Sequence, residues 1–308
     1  MDQLNKSTAR KGDFRAVVLY NHQIGARNYS LGLQLPADAD EVFAGFRPGQ
    51  FVEIDLSRTP LPPIDLIPAD LADKAGRTIL LRRPFSLANL DIKPEGPLAD
   101  VIYRVVGPAT LRMTGLREGD NLQVLGPLGH GFEVPAEKRR ALLIAGGMGA
   151  PPIQYLARVL VHDHPSIKPI GFAGAKTEDD LPFDRSRRCA DGFAAMGIEW
   201  HVATDDGSLA HRGLVTECLQ EWLTAHIKQD RRAMVIYACG PEPMLAKVTR
   251  IAQQEDILCQ VSMERRMACG FGVCQGCAVE CRPVEGEETI YRLCCQDGPV
   301  FDGKEVVF

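Results

Sequence analysis

The segment Cys269-Gly270-Phe271-Gly272-Val273-Cys274-Gln275-Gly276-Cys277 spaces three cysteines as C-x4-C-x2-C. That is the run of a plant-type ferredoxin, which needs one more cysteine farther along. Four thiolates and two bridging sulfides concentrate negative charge in a small volume. The backbone must turn its N–H groups inward, and bulky side chains must stay away. Gly270, Gly272 and Gly276 suit both needs, because glycine accepts positive φ and close backbone approach. Spacing leaves the fourth ligand open among Cys281, Cys294 and Cys295; Cys281 is too near for an easy loop back. A zinc site is the rival chemistry, with Cys274/Cys277 and Cys294/Cys295 imitating two knuckles. Adjacent cysteines make a poor knuckle, however, and zinc leaves Cys269 without a purpose. Incidental buried thiols would not fall into this spacing. The segment reads as a [2Fe–2S] site.

The rest of the chain is ordinary in composition. Its 308 residues are 45% hydrophobic and 24% charged, typical of a soluble globular protein with more than one core. A net charge of −5 offers nothing to nucleic acid. No apolar run approaches the roughly 18 residues of a membrane span. The N-terminal Met1-Asp2-Gln3-Leu4-Asn5-Lys6 lacks a signal peptide's apolar stretch, so the expected location is cytoplasmic. Thiols stay reduced there, and ten cysteines then point to metal or catalytic roles rather than disulfides. Cys189, Cys218, Cys239 and Cys259 are scattered, whereas the others fall between 269 and 295.

Upstream of this module, from Arg140 to near Met263, apolar strand-like runs alternate with helix-like segments. The runs are Ala141–Ala145, Pro169–Ala173, Ile198–Ala203 and Met234–Ala238; the helices are Pro151–Val161, Leu214–Ile227 and Pro243–Gln254. Uninterrupted apolar strands between helices predict a parallel sheet. Gly146-Gly147-Met148-Gly149 ends the first strand and opens a helix, where glycines let the backbone approach a pyrophosphate. It is not a full G-x-G-x-x-G fingerprint. Cys239-Gly240-Pro241 ends a later strand at the same sheet edge, where ligands of open α/β sheets bind.

Residues 14–135 read as antiparallel β structure. Phe14–Tyr20, Tyr29–Leu35, Gln50–Leu56, Ala99–Val106 and Asn121–Leu125 are short β-prone runs punctuated by Gly, Pro and Asn/Asp. Their number and spacing predict a closed or nearly closed barrel. Residues 57–78, rich in proline and acids, read as an inserted loop. In Arg82-Arg83-Pro84-Phe85-Ser86 an extended backbone puts Arg83 and Phe85 on one face, able to hold a phosphate and cover a flat ring.

Taken together, these residues resemble the ferredoxin–NADP reductase superfamily and, within it, the electron-transfer subunits of B-type (NAD-linked) dihydroorotate dehydrogenases. The resemblance runs from about residue 12 to the C-terminus. Its most specific parts are Met263-Glu264-Arg265-Arg266-Met267-Ala268-Cys269 and Cys295-Gln296-Asp297-Gly298-Pro299-Val300-Phe301. It implies a multi-domain α+β and α/β fold: a FAD-binding β-barrel (12–136), a NAD-binding α/β domain (137–262) and a [2Fe–2S] module (263–308). It selects Cys295 as the fourth ligand beside Cys269, Cys274 and Cys277. By resemblance Arg83, Pro84, Phe85 and Ser86 hold FAD, and Ile102, Tyr103 and Arg104 line the flavin. The family's Gly-x-Gly-Thr phosphate loop matches Gly107-Pro108-Ala109-Thr110, with Ala109 in place of the second glycine. Gly146, Gly147, Gly149, Cys239, Gly240 and Pro241 match its nicotinamide-nucleotide site.

The implied function is electron transfer. Electrons pass from the FMN of a dihydroorotate dehydrogenase catalytic subunit through the cluster and FAD to NAD+, in de novo pyrimidine (UMP) biosynthesis. The implied assembly is a heterotetramer of two subunits of each kind. The acidic Glu178-Asp179-Asp180 after the second α/β strand disfavours a 2′-phosphate and points to NAD. The alternatives are a related reductase serving a hydrogenase, a sulfur-reducing enzyme or ferredoxin, and a non-catalytic redox sensor. Oxygenase reductases separate their last two cluster cysteines by many more residues than the 17 between Cys277 and Cys295.

Overall fold

Residues 11–182, 196–283 and 289–308 are described in the computed structural model, so Cys189 lies outside them. The N-terminal part is one seven-stranded antiparallel sheet. Its strands are β1 (Gly12–Gln23), β2 (Asn28–Gln34), β3 (Phe51–Asp55), β4 (Arg83–Ser86), β5 (Asn89–Lys93), β6 (Gly96–Arg104) and β7 (Asn121–Leu128). The order is β4-β3-β7-β1-β2-β6-β5. Its two outermost strands, β4 and β5, are separated in the chain only by Leu87 and Ala88. The sheet therefore curls until its edges meet at that corner, which is the expected barrel. β5 was not anticipated from the sequence.

Strand periodicity explains the barrel's interior. In β6, Val101 and Tyr103 are buried while Ile102 and Arg104 are half-buried, the period of two of a one-sided strand. β3 differs, because Phe51, Val52, Glu53 and Ile54 are all buried. Val52 and Ile54 enter the barrel core, whereas Phe51 enters a second core outside it. β3 thus serves two cores with its two faces.

Three short helices accompany this sheet: α1 (Asp40–Phe43), α2 (Ala72–Ala75) and α3 (Pro108–Met113). The 57–78 insertion is more ordered than a proline-punctuated loop suggests. Leu71 and Ala75 pack into the barrel core. The Arg27 guanidinium pairs with Asp70 at 2.6 Å, and Arg112 donates to the Ala75 carbonyl at 3.0 Å.

The second sheet contains β8 (Arg140–Gly146), β9 (Lys168–Ala175), β10 (Glu199–Thr204), β11 (His211–Arg212), β12 (Met234–Cys239) and β13 (Leu258–Ser262), all parallel. Helices α4 (Ala150–Asp163), α5 (Val215–Ala225) and α6 (Glu242–Gln254) connect them. The order β11-β10-β9-β8-β12-β13 runs outward from β8 in one direction and from β12 in the other. The switch point between β8 and β12 is where such sheets bind ligands.

The cysteine tail forms a hairpin, β14 (Ala278–Cys281) with β15 (Ile290–Leu293), and a last strand β16 (Val300–Asp302). β16 adds antiparallel to the edge strand β13, with Val261 opposite Phe301. Phe301, Cys277, Cys294 and Cys295 share one core with Phe51 and the sheet residues Leu142, Ile144 and Val261. The tail is seated by that shared core. Phe301→Ala should destabilise the chain by about 3–5 kcal/mol, the usual cost of deleting a buried aromatic ring, and should speed iron loss. Urea unfolding and an iron-release time course check this; wild-type values for both would mean that the tail stands independently.

Candidate cofactor site

A cleft of about 840 Å³ follows the junction of the two sheets. From the barrel it is lined by Arg83, Pro84, Phe85 and Ser86 of β4, by Ile102, Tyr103 and Arg104 of β6, and by Ala109 and Thr110 of α3. Gly149, Cys239 and Gly240 line it from the switch point, and Ser262–Met267, the link into the cysteine segment, closes the third side. Gly146, Gly147 and Pro241 flank it: a Cβ on Gly146 would press on Pro241 and Met244. The sequence-predicted flavin and nucleotide residues therefore meet around one space.

On the barrel side, Arg83 donates to the Leu81 and Arg82 carbonyls at 2.7 and 3.1 Å. Among the described residues it makes no ion pair with a carboxylate within 4.0 Å, whereas Arg82 is held by Asp13 at 2.6 Å. Of the two, Arg83 is the one free to grip a phosphate. Phe85 packs on the barrel core and borders the cleft with what is left. The Tyr103 hydroxyl donates to Asn21 at 3.0 Å and its ring stacks on Tyr29, so its phenol is committed to the barrel interior. Burial pushes that phenol up, far from ionisation.

The Gly107–Thr110 turn is closed by one hydroxyl. Thr110 Oγ1 accepts from the Val106 and Gly107 amides at 3.0 and 3.2 Å and donates to the Gly107 carbonyl. Ala109 lies inside α3 and not in the left-handed region. The replacement of glycine there costs the backbone nothing.

On the sheet side, Gly147 takes φ +49°. A Cβ on Gly149 would overlap the Cys239 carbonyl, so the βα turn and the end of β12 touch backbone to backbone. Prolines 151 and 152 open the 14-residue α4, where their missing N–H groups break no helical bond. Desolvation pushes the Cys239 thiol up to about 12, so it is neutral at physiological pH. The acidic stretch after β9 has a second use. Asp180 pairs with Arg104 of the flavin-lining strand, and Asn28 donates to Leu181 at 3.3 Å. Part of the charge that the sequence reading assigned to cofactor choice thus ties the two sheets together.

The cysteines gather beside the cleft. Cys277 Sγ and Cys295 Sγ are 3.3 Å apart, and the Cys295 amide donates to Cys277 Sγ at 3.4 Å. The Cys274 amide donates to Cys269 Sγ at 3.4 Å and the Gly276 amide to Cys274 Sγ at 3.5 Å. Gly270 and Gly272 adopt φ +72° and +91°. The third left-handed residue is Gln275, at +58°, rather than Gly276. Desolvation opposes ionisation of Cys269, but the amides of Cys274, Phe271 and Val273 outweigh it and bring the thiol down to about 6. Cys294 points elsewhere and donates to the Met263 carbonyl at 3.4 Å. Cys281 lies in β14, opposite Ile290.

Amides aimed at three sulfurs are the environment an iron–sulfur cluster requires. Among the described residues no three His, Cys, Asp or Glu side chains converge as the ligands of a single ion do; a two-iron cluster, with a thiol pair on each iron, does not need that convergence.

Residues 264–307 match the model for the iron–sulfur cluster binding domain of dihydroorotate dehydrogenase B, and residues 143–250 match the oxidoreductase NAD-binding domain. The dihydroorotate dehydrogenase B (NAD(+)) electron transfer subunit of Geobacillus thermodenitrificans is 37% identical over 300 residues, 96% of this chain and 99% of that protein. The subunit of the same name from Caldanaerobacter subterraneus is 32% identical over 294 residues, covering 96% and 98%. The chain belongs to the family of dihydroorotate dehydrogenase B (NAD(+)) electron transfer subunits.

Solved structures agree with this family fold. An NADH-dependent reduced ferredoxin–NADP oxidoreductase studied for flavin-based electron bifurcation superposes with TM-score 0.71 at 25% identity, covering 95% of this chain and 89% of that one. An Amycolatopsis cytochrome P450 reductase shares the fold at TM-score 0.59 and 23% identity, covering 82% and 70%. This electron transfer subunit is an oxidoreductase component whose cofactors are FAD, [2Fe–2S] and NAD. No described helix is long and apolar enough to cross a membrane.

Sequence reasoning passed over one residue here. Glu53 is a buried carboxyl on β3 against the cysteine loop, and its signal was a lone charge in the apolar run Phe51-Val52-Glu53-Ile54. For the nucleotide side, Gly149→Ala should weaken NAD+ binding about tenfold or more, because overpacking against the Cys239 backbone costs about 1–3 kcal/mol. FAD content should be unchanged. An NAD+ titration beside a flavin assay checks this, and wild-type affinity would show that the turn does not hold the nucleotide.

Proposed function

We propose that this chain carries electrons from the FMN of a dihydroorotate dehydrogenase catalytic subunit to NAD+ in the UMP-forming pathway. The observation that carries the reading is the single cleft shared by β4, the β8–α4 turn, the end of β12 and the link into the cysteine segment. A bound flavin would exchange hydride with nicotinamide and single electrons with the cluster. The chain's own residues supply the positioning. Cys269, Cys274, Cys277 and Cys295 hold the cluster, supported by the inward amides. Arg83 grips the flavin pyrophosphate, Ser86 and Ile102 border the ring, and Thr110 fixes the turn before α3. Gly149 and Gly240 let the nicotinamide nucleotide reach the switch point, with Cys239 beside it as a neutral thiol.

The division of labour follows 12–136 for FAD, 137–262 for NAD and 263–308 for the cluster. Cys274 is exposed, and Phe271 and Val273 next to it are 48% and 72% exposed. This face suits electron entry from the partner, with two subunits of each kind in the assembly. A cytoplasmic setting, where thiols stay reduced, fits this use of the cysteines.

A second reading is a reductase serving ferredoxin, favoured by the likeness at TM-score 0.71 to the ferredoxin–NADP oxidoreductase. Mixing the chain with a dihydroorotate dehydrogenase catalytic subunit separates the two. Dihydroorotate-dependent NAD+ reduction is expected; its absence together with NADH-driven ferredoxin reduction would overturn the first reading. For the fourth ligand, Cys295→Ser should lose most iron and sulfide while Cys294→Ser keeps them. The reverse pattern in an iron and sulfide assay would exchange the two assignments.

A further inference from the structure

Glu53 is 1% exposed, and its Oε1 has no hydrogen-bond partner. A buried carboxyl oxygen without a hydrogen-bond partner is costly, and more so when the group is charged. β3 pairs Glu53 with Pro84 of the flavin strand on one side and Leu125 on the other. Its side chain leaves the strand on the same face as Phe51, away from the barrel core and toward the core that holds Cys277 and Cys295. There it meets the cysteine loop directly: a Cβ on Gly270 would overlap the Glu53 carboxyl. Gly270 has φ +72°, so this loop is both left-handed and pressed against the carboxyl. Desolvation and, after it, the neighbouring Cys269 thiolate raise Glu53 above the ordinary carboxylate range, and Arg82 and Arg83 oppose this only in part.

We propose that Glu53 is a positioning residue that seats the cluster loop on the flavin-binding strands and holds the cluster at low potential. The proposal rests on the reading that the four cysteines carry an iron–sulfur cluster. Reduction adds negative charge to a group surrounded by thiolates. An ionised Glu53, with Arg82 and Arg83 as its counter-charges and little solvent to screen it, disfavours that added electron, and a neutral side chain of the same shape relieves the repulsion. Sterically, the carboxyl fills the space that a glycine-only loop leaves open, so the distance from loop to strand depends on it.

The test uses the full purified chain with FAD and cluster bound, comparing wild type, Glu53→Gln and Glu53→Asp. Iron, sulfide and flavin content are measured, and the cluster's midpoint potential is read from its EPR signal in an anaerobic titration. Glu53→Gln should keep the cofactors and raise the reduced-to-oxidised ratio at fixed poise about tenfold, equivalent to about 59 mV for one electron. Glu53→Asp should stay within about threefold of wild type. Loss of the cluster in the Gln variant with retention in the Asp variant also supports the proposal. Potentials within about threefold of wild type in both variants, or equal cluster loss in both, overturn it. A wild-type chain without iron and sulfide would instead sink the cluster assignment itself.

Discussion

The antiparallel pairing of β16 with β13, and the burial of Phe301 that goes with it, decide where the cysteines proposed to hold the cluster stand. Cys277 and Cys295 are not carried on a free module. They are buried in the core beneath the nucleotide sheet, together with Phe51 from the barrel. Three parts of the chain thus meet in one apolar mass. The cleft above it inherits fixed distances between the flavin strand, the switch point and the cysteine loop. Electron transfer between bound groups needs that rigidity more than it needs catalytic side chains.

Glycine and backbone amides set the detail. The cysteine loop turns through left-handed residues so that N–H groups face sulfur, and the βα turn presses its Gly149 against Cys239. Both places trade side-chain volume for close approach. The charged groups between them serve the same end. Arg104 with Asp180, and Arg158 with Asp91 at 2.6 Å, cross from barrel to α/β sheet, holding the walls of the cleft in register. These bridges are partly exposed, so their contribution lies in orientation more than in stability.

Much of this was legible in the sequence. The central strands β8 and β12 of the α/β sheet are buried on both faces and read as unbroken apolar runs, so Ala141–Ala145 and Met234–Ala238 stood out. The C-x4-C-x2-C run was legible because cluster geometry tolerates few spacings. Other parts depend on long-range pairing and left no local trace. β5 and β13 were missed, as was β16, which is a strand only because β13 offers an edge. The helix in the 57–78 insertion was hidden by its prolines. Asp180 looked like a cofactor-selecting acid because its partner Arg104 lies 76 residues away in sequence. Glu53 gave a weak signal, a charge in an apolar strand, whose meaning needed the Gly270 contact. Cys294 and Cys295 could not be told apart by spacing; in space their thiols diverge, one to Met263 and one to Cys277.

One shared cleft should let the nucleotide, flavin and cluster sites of this chain exchange electrons without help. Rapid mixing of the isolated, cofactor-loaded chain with NADH, followed by flavin absorbance and freeze-quench EPR, checks this. Flavin bleaching is expected first, and a reduced [2Fe–2S] signal should then grow without any partner protein. Flavin bleaching with a cluster that stays oxidised under low-potential conditions, or a cluster reduced before the flavin, would contradict it.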